Sequence, residues 1–144
     1  MQVGAVAPGL FMMTDYSLTP AAFNERVEFD GSRSSHPLFD CSAPKACLPL
    51  PLGRLAAGSD LILYGTGFRN TTSANVECSI SGERIVVEDA GSQGVPGLDR
   101  IKVRLPGEQA EFWEITDSNS TGEVVLSIDG VLANRALLFF SRQP

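Results

Sequence analysis

"GSDLILYGTGFRN", residues 58–70, is a strand-like run that ends in two glycines and an aromatic ring. Leu61, Ile62, Leu63 and Tyr64 form a continuous apolar stretch, which then breaks at Gly65 and Gly67. Three chemistries place glycines at such a break, and choosing among them decides the fold and whether the chain is an enzyme. A dinucleotide fingerprint requires G-x-G-x-x-G opening a helix. Here Gly65-Thr66-Gly67 is followed by "FRNTTSAN", which lacks the third glycine and is rich in turn-forming residues. A nucleophile elbow requires G-x-S-x-G between strand and helix, and that motif is absent. The third reading is a sandwich strand whose end must bend. Glycine there permits positive φ or close backbone approach, while Phe68 folds back to plug the core. The sequence fits this third pattern.

The sequence downstream has the same texture, short strands separated by turn signals. "NVECSIS" and "ERIVVEDAG" follow; then "DRIKVRLP" alternates, with Ile101, Val103 and Leu105 on one face and Arg100, Lys102 and Arg104 on the other. That is period two with one buried face. "EVVLSID" places Val124, Leu126 and Ile128 inward, and Asp129-Gly130 favours a tight hairpin into "LANRALLFFSR". "ALLFF" shows no polar alternation, so either both its faces are covered within the domain or one meets another domain. The blander reading is burial within the domain.

Residues 1–57 read differently, as an irregular strand and connector segment ahead of a core at 58–144. "SLTPAAFN", residues 17–24, supports at most one helical turn, "RVEFD" a short strand, and the prolines of "CLPLPLG" an edge or extended connector. Regular short strands without amphipathic helices point to a single all-β domain, a β-sandwich.

At 144 residues one domain with a sizeable core is expected. A net charge of −6 disfavours nucleic acid, since Lys102 and Arg104 make only a short basic patch. No window approaches the roughly 20 apolar residues of a membrane helix. "MQVGAVAPGL" lacks the charged and apolar regions of a signal peptide, and the chain is expected to be part of a longer protein. Of three cysteines, Cys41 and Cys47 flank the short loop "SAPKA", and a disulfide between them favours an oxidising compartment. C-x5-C fits neither a redox pair nor a common zinc arrangement, and His36 is the one histidine. Cys78, in a strand-like run, is expected to be a buried thiol.

These short motifs carry a resemblance. "GSDLILYGTGF", "V-x-C-x-I-S-G", "IKVRLP" and "GEVVLSIDG" resemble the immunoglobulin-like IPT/TIG pattern. Within that group the chain is similar to the second half of an uncharacterised C-terminal module of secreted and surface proteins, best represented in acidobacteria. It matches at Ala7-Pro8-Gly9-Leu10-Phe11, Leu63-Tyr64-Gly65-Thr66-Gly67, Ala90-Gly91, Pro96-Gly97-Leu98-Asp99-Arg100 and Leu105-Pro106. It departs from the family at Arg100, where glutamine is usual, in the diverged stretch 14–52, and in the insertion "GEQAEFWEITDSNS". The resemblance implies an extracellular immunoglobulin-like fold and assigns no activity. It leads to the expectation of a non-catalytic spacer, adhesion or protein-interaction module of a bacterial surface or secreted protein. Its partners would be a protein or polysaccharide and neighbouring domains of the parent chain, with no cofactor or metal.

Other chemistries have candidate residues as well. Ser34, Ser35 and Asp40 lie near His36, as polar loop residues often do. Glu88-Asp89 and Glu28/Asp30 are carboxylate pairs at strand ends. Asp117-x-Asn119-x-Thr121-Gly122 matches the first half of a calcium loop, but the twelfth position is Ile128 rather than glutamate. The sequons at Asn70 and Asn119 read as turn chemistry. Phe112 and Trp113 carry the alternative of a carbohydrate-binding module, an exposed indole stacking on sugar, against capping of the sandwich core.

Overall fold

The computed structural model describes residues 8–13, 18–42, 47–53, 56–68, 75–95, 98–107 and 121–140, with 92–95 described in backbone only. The protein is all-β, and among the described residues every pairing between its strands is antiparallel. Among the described residues no helix is long and apolar enough to cross a membrane.

The opening stretch forms strand β6 (Asp60–Thr66), the centre of one half of a ten-stranded sheet. One edge of β6 takes β9 (Leu98–Arg104), in register from Asp60↔Arg104 to Gly65↔Asp99. The other edge takes β2 (Ala22–Val27) along its first part and β1 (Gly9–Leu10) at its end. A hairpin then adds β3 (Arg33–Pro37) outside β2. The small strands β4 (Phe39–Asp40) and β5 (Leu48–Pro49) pair separately, so Leu-Pro-Leu-Pro is a two-residue edge and connector, as its missing donors require.

In the other half, β7 (Val76–Ile80) pairs with β10 (Thr121–Ile128), whose far edge holds β11 (Val131–Leu132) and β12 (Ala136–Phe139). The halves are joined through β8 (Glu83–Val95). Its residues 83–85 pair with β7, and from Val86 onward it pairs with β9. Both halves contribute to one hydrophobic cluster, with Leu61, Leu63, Ile101 and Val103 from the first and Ile80, Val124, Leu126 and Leu138 from the second.

The inward residues expected on the alternating strands are inward: Ile101, Val103, Leu105, Val124, Leu126 and Ile128 are all buried. Asp129 and Gly130 have φ of 51° and 82°, the left-handed pair of a type I′ hairpin turn. Ser81-Gly82 makes the same turn between β7 and β8, at 54° and 83°. The "ALLFF" strand alternates after all. Ala136, Leu138 and Phe140 are buried, while Leu137 and Phe139 are only partly covered.

Two expectations need correction. Ala22, Phe23 and Asn24 are strand, not a helical turn, and within the segment read as irregular the β2–β3 hairpin belongs to the sheet. The reason is Asn24, which points inward and is fully buried. A polar residue at a core position hides the period-two signal that would have announced a strand.

The break at Gly65 also has its physical account. Gly67 has φ of 87°, a left-handed conformation that suits glycine. A Cβ at Gly65 would collide with the carbonyl oxygen of Gly9 and sit 2.8 Å from the Phe68 ring. Phe68 is fully buried, and its N–H donates to Oδ2 of the buried Asp99 at 3.0 Å. Gly9, Gly65 and Asp99, one residue from each of three short motifs, thus meet at the bend that carries Phe68. Because the donor at the break already has a carboxylate as its acceptor, the turn is poorly suited to cradle a phosphate.

Candidate functional site

The sequence-predicted sites divide into three groups. Phe112 and Trp113, the sequons at Asn70 and Asn119, and the Asp117 end of the calcium-like loop lie outside the described residues. Thr121 and Gly122 are described and belong to β10. A Cβ on Gly122 would strike Ser81 and stand 2.6 Å from the Phe140 ring, so this glycine serves strand packing. Among the described residues no group of three or more His, Cys, Asp or Glu could hold a metal ion.

Cys41 and Cys47 form a disulfide, and Cys78 is a free, buried thiol. Burial pushes the Cys78 thiol up to about 12, so it remains protonated and unreactive at neutral pH. Thiol counting on unfolded, non-reduced protein should therefore find one thiol per chain, and three after reduction. Three without reduction would remove the crosslink and the compartment argument with it. The loop is short, so the bond should contribute at most about 2–3 kcal/mol.

His36 lies on β3 beside Ser34 and Glu28, whereas Asp40 instead accepts from the Ser42 N–H. The contact is not a catalytic relay. Nε2 of His36 meets both Ser34 Oγ, at 2.8 Å, and Glu28 Oε1, at 3.5 Å, while Ser34 Oγ itself donates to Glu28. A relay needs the carboxylate on the other ring nitrogen, so that it fixes the tautomer and supports the imidazolium. All this stands in the open: the His36 and Glu28 side chains are 43% and 45% exposed. The Ser34 hydroxyl, then His36, holds the Glu28 carboxyl below its usual range.

The richest polar arrangement is one that the sequence did not reveal. Across the outer face, Glu25 of β2, Asp60 of β6 and Arg104 of β9 stand in one register row. Arg104 Nε donates to Asp60 Oδ1 and to Glu88 Oε1, both at 2.8 Å. Lys102 Nζ lies 3.5 Å from Asp60 and 3.8 Å from Glu25, and Arg33 Nη1 donates to Glu25 at 2.8 Å. Glu88 is positioned by a bulge: the β8–β9 register slips between Val87 and Asp89, leaving Glu88 unopposed and turned toward Arg104. The carboxylate pair Glu88-Asp89 is thereby divided, since Asp89 faces Arg100 at 3.8 Å.

Asp60 is the most covered acid of this row, its side chain 9% exposed. Burial pushes its carboxyl up, but hydrogen bonding with Glu88 and Arg104 and the charges of Arg104 and Lys102 together pull it below its ordinary 3.8. A depressed carboxyl contributes stability that is complete above its unfolded value and lost as pH falls through the folded one. Asp60→Asn should therefore flatten part of the acid limb of a stability profile taken from about pH 6 to about pH 2. Superimposable limbs would show that Asp60 gains nothing from these partners.

At the start of β6 the row opens into a cleft of about 150 Å3. Its lining includes Arg26, Arg33 and Arg104 together with Glu25, Asp60 and Ser59. Behind it, the buried Asn24 donates to Ser59 Oγ at 2.6 Å and to the Asp60 carbonyl at 2.9 Å, and accepts from Arg26 Nε at 2.5 Å. The alternation of Arg100, Lys102 and Arg104 was the visible signal for half of this cluster. Their acidic partners come from strands whose register the sequence does not display. Compared with protein-family models, curated proteins and solved structures, the chain matches none of them.

Proposed function

We propose that the chain is an immunoglobulin-like module of the IPT/TIG kind, acting as a non-catalytic adhesion or protein-interaction domain of an exported bacterial protein. The observation that carries the reading is the order in which the strands pair. In an immunoglobulin sandwich, strand B lies beside E, C beside F, and F beside G. Taking β6, β7, β9, β10 and β12 as B, C, E, F and G, the pairs β6–β9, β7–β10 and β10–β12 meet that rule. β8 serves as C′ beside β7 and as D beside β9. The parallel bridge Leu52↔Phe140, one residue past β12, supports a pairing of the segment ahead of B with G. The β2–β3 hairpin is an addition to that plan.

The disulfide supports an oxidising location, and the meeting of Gly9, Gly65 and Asp99, one from each of three of the family's short motifs, at the bend of Phe68 supports their being a fold signature. A contact surface is suggested by the tip of the β2–β3 hairpin, where Phe29 is fully exposed and Val27 is 67% exposed. The turn is fastened by Glu28 N–H to the Ser32 carbonyl at 2.6 Å and by Asp30 Oδ1, which accepts from the Ser32 N–H and hydroxyl. A rigidly presented aromatic loses little entropy on binding. A photo-crosslinker at position 29, in intact cells of the parent organism, tests the proposal. Adducts removed by externally added protease are expected. Adducts confined to the cell interior, or none, would overturn it.

A further inference from the structure

We infer that the cleft at the start of β6 binds a carboxylate carried on a small polar molecule, a sugar acid being the class that suits it. The argument begins at Asn24. A polar side chain fully buried at an inward strand position violates the local rule for a strand, and such violations concentrate at functional positions. Asn24 is held from behind by Ser59 and the Asp60 carbonyl, and its remaining oxygen accepts from Arg26 Nε. Arg26, held at Nε by this fixed partner, is one of the residues that line the cleft.

The charges nearby separate Arg26 from its neighbours. Arg33 and Arg104 already face Glu25 and Asp60 through single nitrogens, and Lys102 lies between those two acids. Arg26 is hydrogen-bonded to a neutral oxygen instead. The next carboxylate, Glu28, is engaged by Ser34 and His36 and reaches Arg26 through space only. The fork of a guanidinium matches the two oxygens of a carboxylate, and Arg33, 65% exposed, lines the same cleft. Glu25 and Asp60 on the walls select for a monoanion, because a second ligand charge would meet them at short range. Ser59 and the wall carboxylates offer acceptors for hydroxyl groups, while Val27 lines one side. A hydroxylated acid meets each of these features. This inference rests on the cleft alone and is independent of the immunoglobulin-like reading and of the compartment.

Titration of the 15N-labelled protein with galacturonate, galactose and inorganic phosphate tests it, read at the Arg26 Nε–H and the Ser59 amide. Saturable shifts with galacturonate are expected, with weaker or no response to galactose and phosphate. Arg26→Gln should weaken galacturonate binding by at least about tenfold, and Arg33→Gln by a smaller factor. Arg84→Gln, on the β8 segment beside β7, should leave it unchanged. Unaltered thermal melting of these variants separates lost binding from lost folding. A polygalacturonate arm distinguishes a polymer-borne residue, which binds more tightly than the monomer, from a free acid, which does not need the chain. Absence of saturable shifts overturns the inference, as does binding that survives Arg26→Gln or phosphate binding as tight as galacturonate.

Discussion

Phe68→Ala should lower the unfolding free energy by about 3–5 kcal/mol, the range for removing a fully buried phenylalanine from a core. Phe68 has no exposed surface and belongs to the hydrophobic cluster shared by both halves of the sheet. Truncation loses the apolar burial of the ring and leaves a cavity against Gly65, whose backbone has no side chain to move in. The N–H of residue 68 would still donate to Asp99, so the loss reports on the ring rather than on the turn. A nucleotide-binding turn makes the opposite forecast: nucleotide raises the melting temperature and alanine at 68 costs little. Observing both together would return "GTGF" to the enzymes.

Gly65→Ala should destabilise by at least the upper end of the about 1–3 kcal/mol found for overpacked cores. The added methyl meets the Gly9 carbonyl oxygen on one side and the Phe68 ring, at 2.8 and 2.9 Å, on the other. A flexible side chain would swing away, but here β1 must leave the edge of β6 or the plug must leave the core. β1 is also fastened by Asn134, whose side chain accepts from the Leu10 N–H at 2.6 Å and donates to the Leu10 carbonyl at 3.0 Å. Its displacement would break those bonds too. Gly91→Ala is the matched control: nothing lies within 4 Å of its Cβ position, and its effect should stay within about 0.5 kcal/mol. Equal effects at the two positions would mean that Gly65 is not there for close approach.

Legibility followed the apolar pattern. β9 and β10 show their buried faces in the sequence because aliphatic inward residues follow one another there, Ile101 and Val103 in β9 and Val124, Leu126 and Ile128 in β10. This holds even though Asp99 is buried at the start of β9, and the Asp129-Gly130 turn announces its hairpin. β2 was missed because Asn24 sits where an aliphatic residue would have completed the alternation. The cleft is hidden for a different reason, distance along the chain. Arg26 and Asp60 are 34 positions apart in the chain, and only the Glu25↔Asp60 register brings them to one opening.

The sequence by itself therefore determined that the chain is all-β, which faces of its later strands are buried, that the break after Tyr64 is a bend, and that Cys41 and Cys47 are near enough to join. These are local properties, set by side-chain period, turn chemistry and short ring closure. Only the tertiary structure decided that β8 passes from one half of the sheet to the other, that Asp99 answers the Phe68 N–H, and that Asn24 holds Arg26 where it lines a cleft. Each of these depends on which strand lies beside which, and pairing is fixed by long-range packing rather than by neighbours along the chain.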